Sequence, residues 1–227
     1  MENPFKWRHY ESEIILLSAR GYLRYALSYR DVEEMMSERG LSVVHTTIYR
    51  WVQAYAPEIN KPFRPHLKQA NDTWRVDETY VKVRGKWMVL YRALDSAGTT
   101  LDFLLNGSRS RRAAKRFFRK MLSGKHVTAP QVINVDKNPT YIQAVCDLKR
   151  EKRRPSQYLN IIIEQDHRFM KRQIRPSPGF FSYPTAWRTI QGYEAMDMIR
   201  KGQMQGAMQG DIKAQNQFTA GLFGLAI

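Results

Sequence analysis

The first part of the chain carries apolar residues at the spacing of amphipathic helices. Apolar positions between residues 14 and 27 recur every three to four residues, which predicts a first helix with a break near Gly21. Ser28 precedes a stretch with acids in its first turns and is predicted to cap a second helix. Gly40 supplies a turn, and a third helix is expected from His45 until Pro57 stops it. Helix, glycine turn and helix form the helix-turn-helix arrangement.

After residue 72 the pattern changes to that of strands. Apolar and β-branched runs predict antiparallel strands over Thr73–Val83, Lys86–Asp95 and Thr100–Leu105, joined by hairpin-like turns. Ser108 or Ser110 is predicted to cap a helix with one apolar and one basic side. A short buried strand over residues 131–135 follows, and then helices over residues 140–150, 164–174 and 185–201.

These elements predict an α/β protein with two domains. A helix-turn-helix domain over residues 1–56 is followed by a linker over residues 57–72, which is rich in proline and basic residues. Residues 73–201 show the element order of a ribonuclease-H-like domain with a mixed sheet. The tail, residues 202–227, is rich in Gln, Gly and Met and is expected to be loose.

Charge narrows the range of partners. The 227 residues include 37 Lys and Arg against 21 Asp and Glu, for a net charge of +16. This excess fits binding to nucleic acid or to an anionic membrane surface, and the alternative is a generic basic, soluble protein. One cysteine excludes an internal disulfide. No run approaches bilayer-spanning length and the N-terminus lacks the apolar core of a signal peptide, so we expect a cytoplasmic protein that is not embedded in a membrane.

Three acids stand where carboxylates are costly unless paired with a cation. Asp77 interrupts the first predicted strand, Asp136 ends the fourth, and Glu164 opens a helical stretch. Carboxylate oxygens are preferred ligands of Mg²⁺ and Mn²⁺, so the three predict a divalent metal site facing a phosphate backbone. Simpler roles stay open: an ion pair of Asp77 with Arg75 or Lys82, a turn cap at Asp136, and a helix-dipole contact at Glu164.

Two groups of polar residues are candidates for DNA contact. At the start of the third helix, where a recognition helix reads base edges, stand His45, Thr46, Thr47 and Arg50. An ordinary three-helix domain without DNA contact is the alternative. Cations on the basic side of the fourth helix suit phosphate contacts, and they include Arg111, Arg116 and Arg119.

Four segments resemble a known family. The segments are 47–53, 74–87, 135–141 and 163–172, and together with their surroundings they resemble bacterial transposases of the sixth insertion-sequence family, over about residues 3–202. The resemblance implies a DDE-type integrase core whose acidic triad matches Asp77, Asp136 and Glu164. It also suggests that Lys171 and Arg172 contact DNA.

The resemblance implies a metal-dependent DNA strand transferase that uses two Mg²⁺ or Mn²⁺ ions. Such an enzyme binds the double-stranded terminal inverted repeats of its element, nicks their ends, and joins the freed 3′-hydroxyl to target DNA. Members of this family form cointegrates by a replicative route. We therefore expect a homo-oligomer on DNA and a location at the bacterial nucleoid.

The spacing of the acids supports an alternative hypothesis. Glu164 follows Asp136 by 28 positions, several fewer than is usual in the family. A catalytically decayed copy that acts only as a sequence-specific DNA-binding protein would fit this shortening, because a working site tolerates little displacement. A structure-specific nuclease of the same fold is a third possibility, but it would not need the helix-turn-helix.

Overall fold

The computed structural model describes residues 9–135, 141, 143–147, 172–174 and 179–225. Contacts divide the chain into a helical unit, Met1–Leu67 with Arg172–Ile227, and a sheet unit, Lys68–Lys171. The helices are α1 (Ser12–Arg24), α2 (Tyr29–Ser37), α3 (His45–Phe63), α4 (Arg111–Leu122), α5 (Tyr183–Arg200) and α6 (Ile212–Gly221). The strands are β1 (Thr73–Val83), β2 (Lys86–Asp95), β3 (Thr100–Asn106) and β4 (Val132–Val135).

The start of α2 and the turn that follows this helix are determined by local chemistry. The hydroxyl of Ser28 accepts from the backbone N–H of Asp31 at 3.1 Å, and the Asp31 carboxylate accepts from the N–H of Ser28 at 2.7 Å. This reciprocal pair is a capping box, so the predicted cap is confirmed. Gly40 has a φ of 73°, which glycine adopts at little cost, and the chain turns there toward α3.

Helix α3 is longer than its sequence predicts. The prediction that it ends at Pro57 is wrong, because the helix continues through Pro57 and Pro62 to Phe63, and a short 3₁₀ turn at Arg64–His66 follows. The extension carries Ile59 and Phe63, which are both fully buried, and α3 packs against α5. Burying such side chains stabilises by about 1.5–3 kcal/mol each, of the same order as the cost of an interior proline, about 3 kcal/mol.

The C-terminal segment is also more ordered than its composition predicts. The expectation that residues 202–227 are loose is wrong for the described part, because α6 forms there with Asp211 as its side-chain cap. Gln215 is fully buried; it accepts from Arg24 at 3.0 Å and donates to the carbonyl of Met208 at 2.8 Å. This helix is therefore held by tertiary contacts of a polar side chain. Such contacts do not require apolar residues at helical spacing, so the sequence pattern did not predict the helix.

The sheet unit has the strand order β3-β2-β1-β4. Strands β1, β2 and β3 pair antiparallel, and β4 runs parallel to β1. The predicted strand boundaries agree with the observed ones to within one residue, and the α/β fold class with a mixed sheet is confirmed. Residues 141 and 143–147 are helical, as are residues 172–174. The sequence also predicts at most one short strand over residues 158–163, a segment that lies outside the described residues.

Helix α4 covers one face of this sheet. The hydroxyl of Ser110 accepts from the N–H of Ala113 at 3.2 Å, which selects Ser110 over Ser108 as the cap. Phe117 and Phe118 pack in one core with Trp74 and Val76 of β1. Side chains alternate along a strand, so Arg75 and Asp77 project from the other face of the sheet. None of the described helices is long and apolar enough to cross a membrane.

Candidate active site and nucleic-acid interface

Asp77 lies near the middle of β1, on the face opposite α4. Its side chain is half-buried, and one carboxylate oxygen accepts from the backbone N–H of Glu78 at 2.7 Å. Directly across on β2 stands Arg92, which is 4 % exposed. Cross-strand partners have Cβ atoms about 4.5–5.5 Å apart, so a buried cation stands beside this carboxylate. In the sequence, Arg92 could have been noticed because it interrupts the apolar run 89–94.

The pairing of β1 with β4 relates Asp77 to Asp136, the second acid predicted from the sequence. The last paired residues are Val76 and Val135, whose side chains both lie in the core beneath α4. Each of them is followed in the chain by an aspartate, Asp77 in one strand and Asp136 in the other. Asp136, Glu164 and Lys171 themselves lie outside the described residues. Among the residues that are described, no cluster of three or more His, Cys, Asp or Glu side chains could hold a metal ion.

The neighbour of Asp77 has a different environment. Glu78 projects to the α4 face, is mostly buried, and forms an ion pair with the guanidinium of Arg109 at 2.6 Å. Burial raises the pKa of the Tyr141 phenol, and the negative charge of Glu78 raises it further. Sequence reasoning missed this cluster, because Arg109 stands in a loop 31 positions away and no local pattern links it to Glu78.

The start of α3 presents polar side chains outward and apolar ones inward. Thr46 and Arg50 are exposed, Thr47 is half-buried, and Ile48 and Val52 are fully buried. His45 is half-buried, and its Nδ1 lies 2.8 Å from a carboxylate oxygen of Glu33. This contact ties α3 to α2, so His45 has a structural role at the junction of the two helices.

A cavity of about 400 Å³ lies beside the same end of α3. The rings of Tyr22 and Tyr29 in its lining stack with centroids 3.9 Å apart. Burial raises the pKa of both phenols, so both stay protonated at neutral pH. The other lining residues come from α3 and from the start of α5, and they include His45, Thr46, Tyr49, Gln53, Phe181 and Thr189.

Two arginines of α4 form local hydrogen bonds. Arg111 donates twice to the carboxylate of Asp147, at 2.9 and 2.6 Å, and this partner raises the pKa of Arg111. Arg116 donates to the side-chain oxygen of Asn106 at 2.7 Å. Both lie on the helix that covers the face opposite Asp77. Arg119 and Arg172 are exposed. That these four arginines contact DNA stays a prediction.

Comparison with known proteins identifies relatives along most of the chain. The family model DDE_Tnp_IS240, a DDE domain, matches residues 71–203. The transposase for the insertion sequence-like element IS431mec of Staphylococcus aureus strain N315 is 39% identical over 206 residues, covering 88% of this chain and 89% of that protein. The transposase for IS257 in transposon Tn4003 of Staphylococcus aureus shows the same identity and coverage.

Among solved structures, the catalytic core domain of HTLV-2 integrase in complex with magnesium aligns with a TM-score of 0.44 and 14% sequence identity. The alignment covers 66% of this chain and 96% of that chain. The family match spans more than half of this chain, and the transposases match along nearly their whole length. The chain therefore belongs to the sixth insertion-sequence family, as a DNA transposase with a DDE core.

Proposed function

We propose that this transposase catalyses metal-dependent DNA cleavage and strand transfer at the terminal inverted repeats of its insertion sequence. The observation that carries the proposal is the pairing of Val76 with Val135. Because both side chains enter the core beneath α4, alternation directs the residue after Val76 to the other face, and a strand β4 that continued in register would direct the residue after Val135 there as well. Those next residues are Asp77 and Asp136, so a continued register brings two carboxylates side by side.

The residues fit a divalent cation. Asp77, Asp136 and Glu164 would hold it, since carboxylate oxygens are the ligands that Mg²⁺ and Mn²⁺ prefer. Two bound ions would activate the attacking oxygen and stabilise the leaving oxygen of an in-line displacement. The backbone N–H of Glu78 orients the Asp77 carboxylate. The buried guanidinium of Arg92 lowers the cost of gathering several carboxylates on this face.

The test is strand transfer by the purified chain with Mg²⁺ or Mn²⁺, on a labelled duplex that carries the element's end. Asp77→Asn, Asp136→Asn and Glu164→Gln should each abolish the joined product. End binding should stay nearly intact, because the helical unit supplies it. If all three variants lost end binding to the same degree as strand transfer, a separate catalytic site would be ruled out.

The terminal repeats would be read by the start of α3. Thr46 and Arg50 are exposed there, while the opposite side of the helix is buried. Thr46→Ala and Arg50→Ala should weaken binding to the element's end by roughly 1–3 kcal/mol for each hydrogen-bonded base pair that is no longer read. Binding to a scrambled duplex should change less. A gel shift with unchanged preference for the end would remove α3 as the reading element.

A second candidate function is that of a DNA-binding copy without catalysis. The shortened spacing of 28 positions between Asp136 and Glu164 favours it. Such a protein would occupy the ends of intact elements and form no joined product. Inserting a family-length segment ahead of Glu164 should then raise strand transfer. Efficient strand transfer by the unmodified chain would remove this candidate.

A further inference from the structure

The far part of the β1–β2 hairpin extends beyond the rest of the sheet. β1 pairs with β4 only as far as Val76, and β2 pairs with β3 only from Val89 onward. The pairing of β1 with β2 continues to Val83 and Lys86. Among the described residues, positions 80–88 therefore form a two-stranded ribbon with no third strand beside it. We call this segment the ribbon.

The end of the ribbon is a tight turn with a fixed shape. Arg84 has a φ of 50° and Gly85 a φ of 78°. Two consecutive central residues with positive φ indicate a type I′ turn, whose twist matches that of paired strands. The side chains around the turn are thus held by a well-formed hairpin, which reduces the conformational entropy that binding a partner would cost.

One face of the ribbon is available for binding. Val81 and Val83 are buried, so that face is already packed. On the opposite face Tyr80 is 54% exposed and Trp87 is 64% exposed, and Lys82 lies on this same face. Exposed aromatic side chains that lie together on one face mark an interaction site, because folding alone gains little from them.

The charge of the ribbon is positive and uncompensated. Lys82, Arg84 and Lys86 are all exposed, and within the described part of the chain none of them forms an ion pair. Arg111 of α4 contrasts with them, since Asp147 holds it from the side. Three exposed cations flanked by two aromatic rings match the chemistry of a nucleic-acid surface, in which cations contact phosphates and rings contact sugars and bases.

We propose that the ribbon is a second DNA-binding element, which binds DNA through the strand face that carries Tyr80 and Lys82, opposite the face of Asp77. The major groove of B-DNA is about 12 Å wide and admits a two-stranded β-ribbon. Lys82 lies five residues along β1 from Asp77, about 17 Å at the strand rise of roughly 3.3 Å. This inference rests on the proposed function, because the DNA bound is a substrate of the strand transfer proposed at Asp77.

The experiment measures the affinity of the full chain for a fluorescent duplex carrying the element's end and for a scrambled duplex, across a range of KCl concentrations. The Asp77→Asn background prevents cleavage during the titration. The test variant combines Lys82→Gln, Arg84→Asn and Lys86→Gln. Asparagine is chosen at position 84 because it tolerates a positive φ. The matched control removes three exposed charges elsewhere, by Lys61→Gln, Lys125→Gln and Lys213→Gln.

The ribbon variant should weaken binding to both duplexes alike. The slope of log affinity against log salt should become shallower by about 2–3, since each phosphate contact contributes roughly 0.9. The control variant should change the slope by much less. Trp87→Ala should lower affinity without changing the slope, because an aromatic contact releases no counterions. Circular dichroism melting of every variant establishes that it folds.

Two outcomes would overturn the inference. The first is an equal decrease in affinity in the ribbon and control variants, which would show a general effect of net charge. The second is unchanged DNA affinity in Trp87→Ala together with a lower oligomeric state in sedimentation, which would make the ribbon a contact between copies. Strand transfer by the chain with and without Asp77→Asn is measured separately. It tests the catalytic proposal, whereas DNA affinity of the ribbon variants tests the ribbon, so failure of one proposal can be told from failure of the other.

Discussion

Two adjacent acids on β1 stand on opposite faces of one sheet and have different surroundings. Asp77 is half-buried, is oriented by the following backbone N–H, and stands across from the buried Arg92. Glu78 faces α4 and is neutralised by Arg109 at 2.6 Å. The two side chains carry the same functional group, so the difference between them comes from the groups that each face brings near.

The comparison shows that one strand can place a proposed catalytic side chain on one face of the sheet and a structural ion pair on the other. The face beneath α4 is filled by aromatic residues such as Phe117 and Tyr141, and a charge there requires a dedicated partner. The other face carries polar residues at Arg75, Asp77 and Arg92. A substitution at Asp77 should therefore change catalysis, whereas one at Glu78 should change stability.

The largest expected effect is that of Asp77→Asn. Losing a carboxylate that holds a metal ion should lower strand transfer on the order of 10²–10³-fold or more, the scale for removing one electrostatic stabiliser of a transition state. The midpoint of urea unfolding should also fall, because the buried Arg92 loses the carboxylate across from it, so strand transfer is the measurement that separates the two substitutions. The matched control is Glu78→Gln, which makes the same chemical change one residue away. Strand transfer reduced equally by both substitutions would break the distinction between the two faces.

Glu78→Gln should have the next largest effect, on stability. It leaves Arg109 without its carboxylate, and losing a charged hydrogen-bond partner in a mostly buried site costs about 1–3 kcal/mol of unfolding free energy. Urea unfolding of the purified protein measures this loss. Adding Arg109→Gln should recover part of the loss, because the lone cation is then removed. Full additivity of the two substitutions would show that the pair does not interact.

Local patterns predicted most of the fold. The strand boundaries, the cap at Ser28 and the start of α3 at His45 all depend on residues within a few positions of one another, and all are confirmed. Alternation along β1 likewise placed Asp77 and Glu78 on opposite faces. Such features are visible in a sequence because the interactions that determine them are local.

Long-range contacts account for what sequence reasoning missed. Helix α3 continues past Pro57 because its end packs on α5, where Gly192 lies so close to Ala56 that an added Cβ would stand 2.7 Å from it. Helix α6 depends on Gln215 and its contact with Arg24, 191 positions away. The sequence predicts the ribbon only as a hairpin. That no third strand of the described residues lies beside it depends on where the pairing with β3 and β4 stops.

The smallest expected effect concerns α4. The sequence predicts that Arg111 contacts DNA, whereas its two hydrogen bonds to Asp147 give it a structural role. Arg111→Gln should therefore change affinity for a scrambled duplex by less than about twofold and leave the salt slope unaltered. A slope shallower by roughly 0.9 would show that Arg111 binds a phosphate. That result would add Arg111 to the DNA-binding surface, and the hydrogen bonds to Asp147 would then have to be given up when DNA binds.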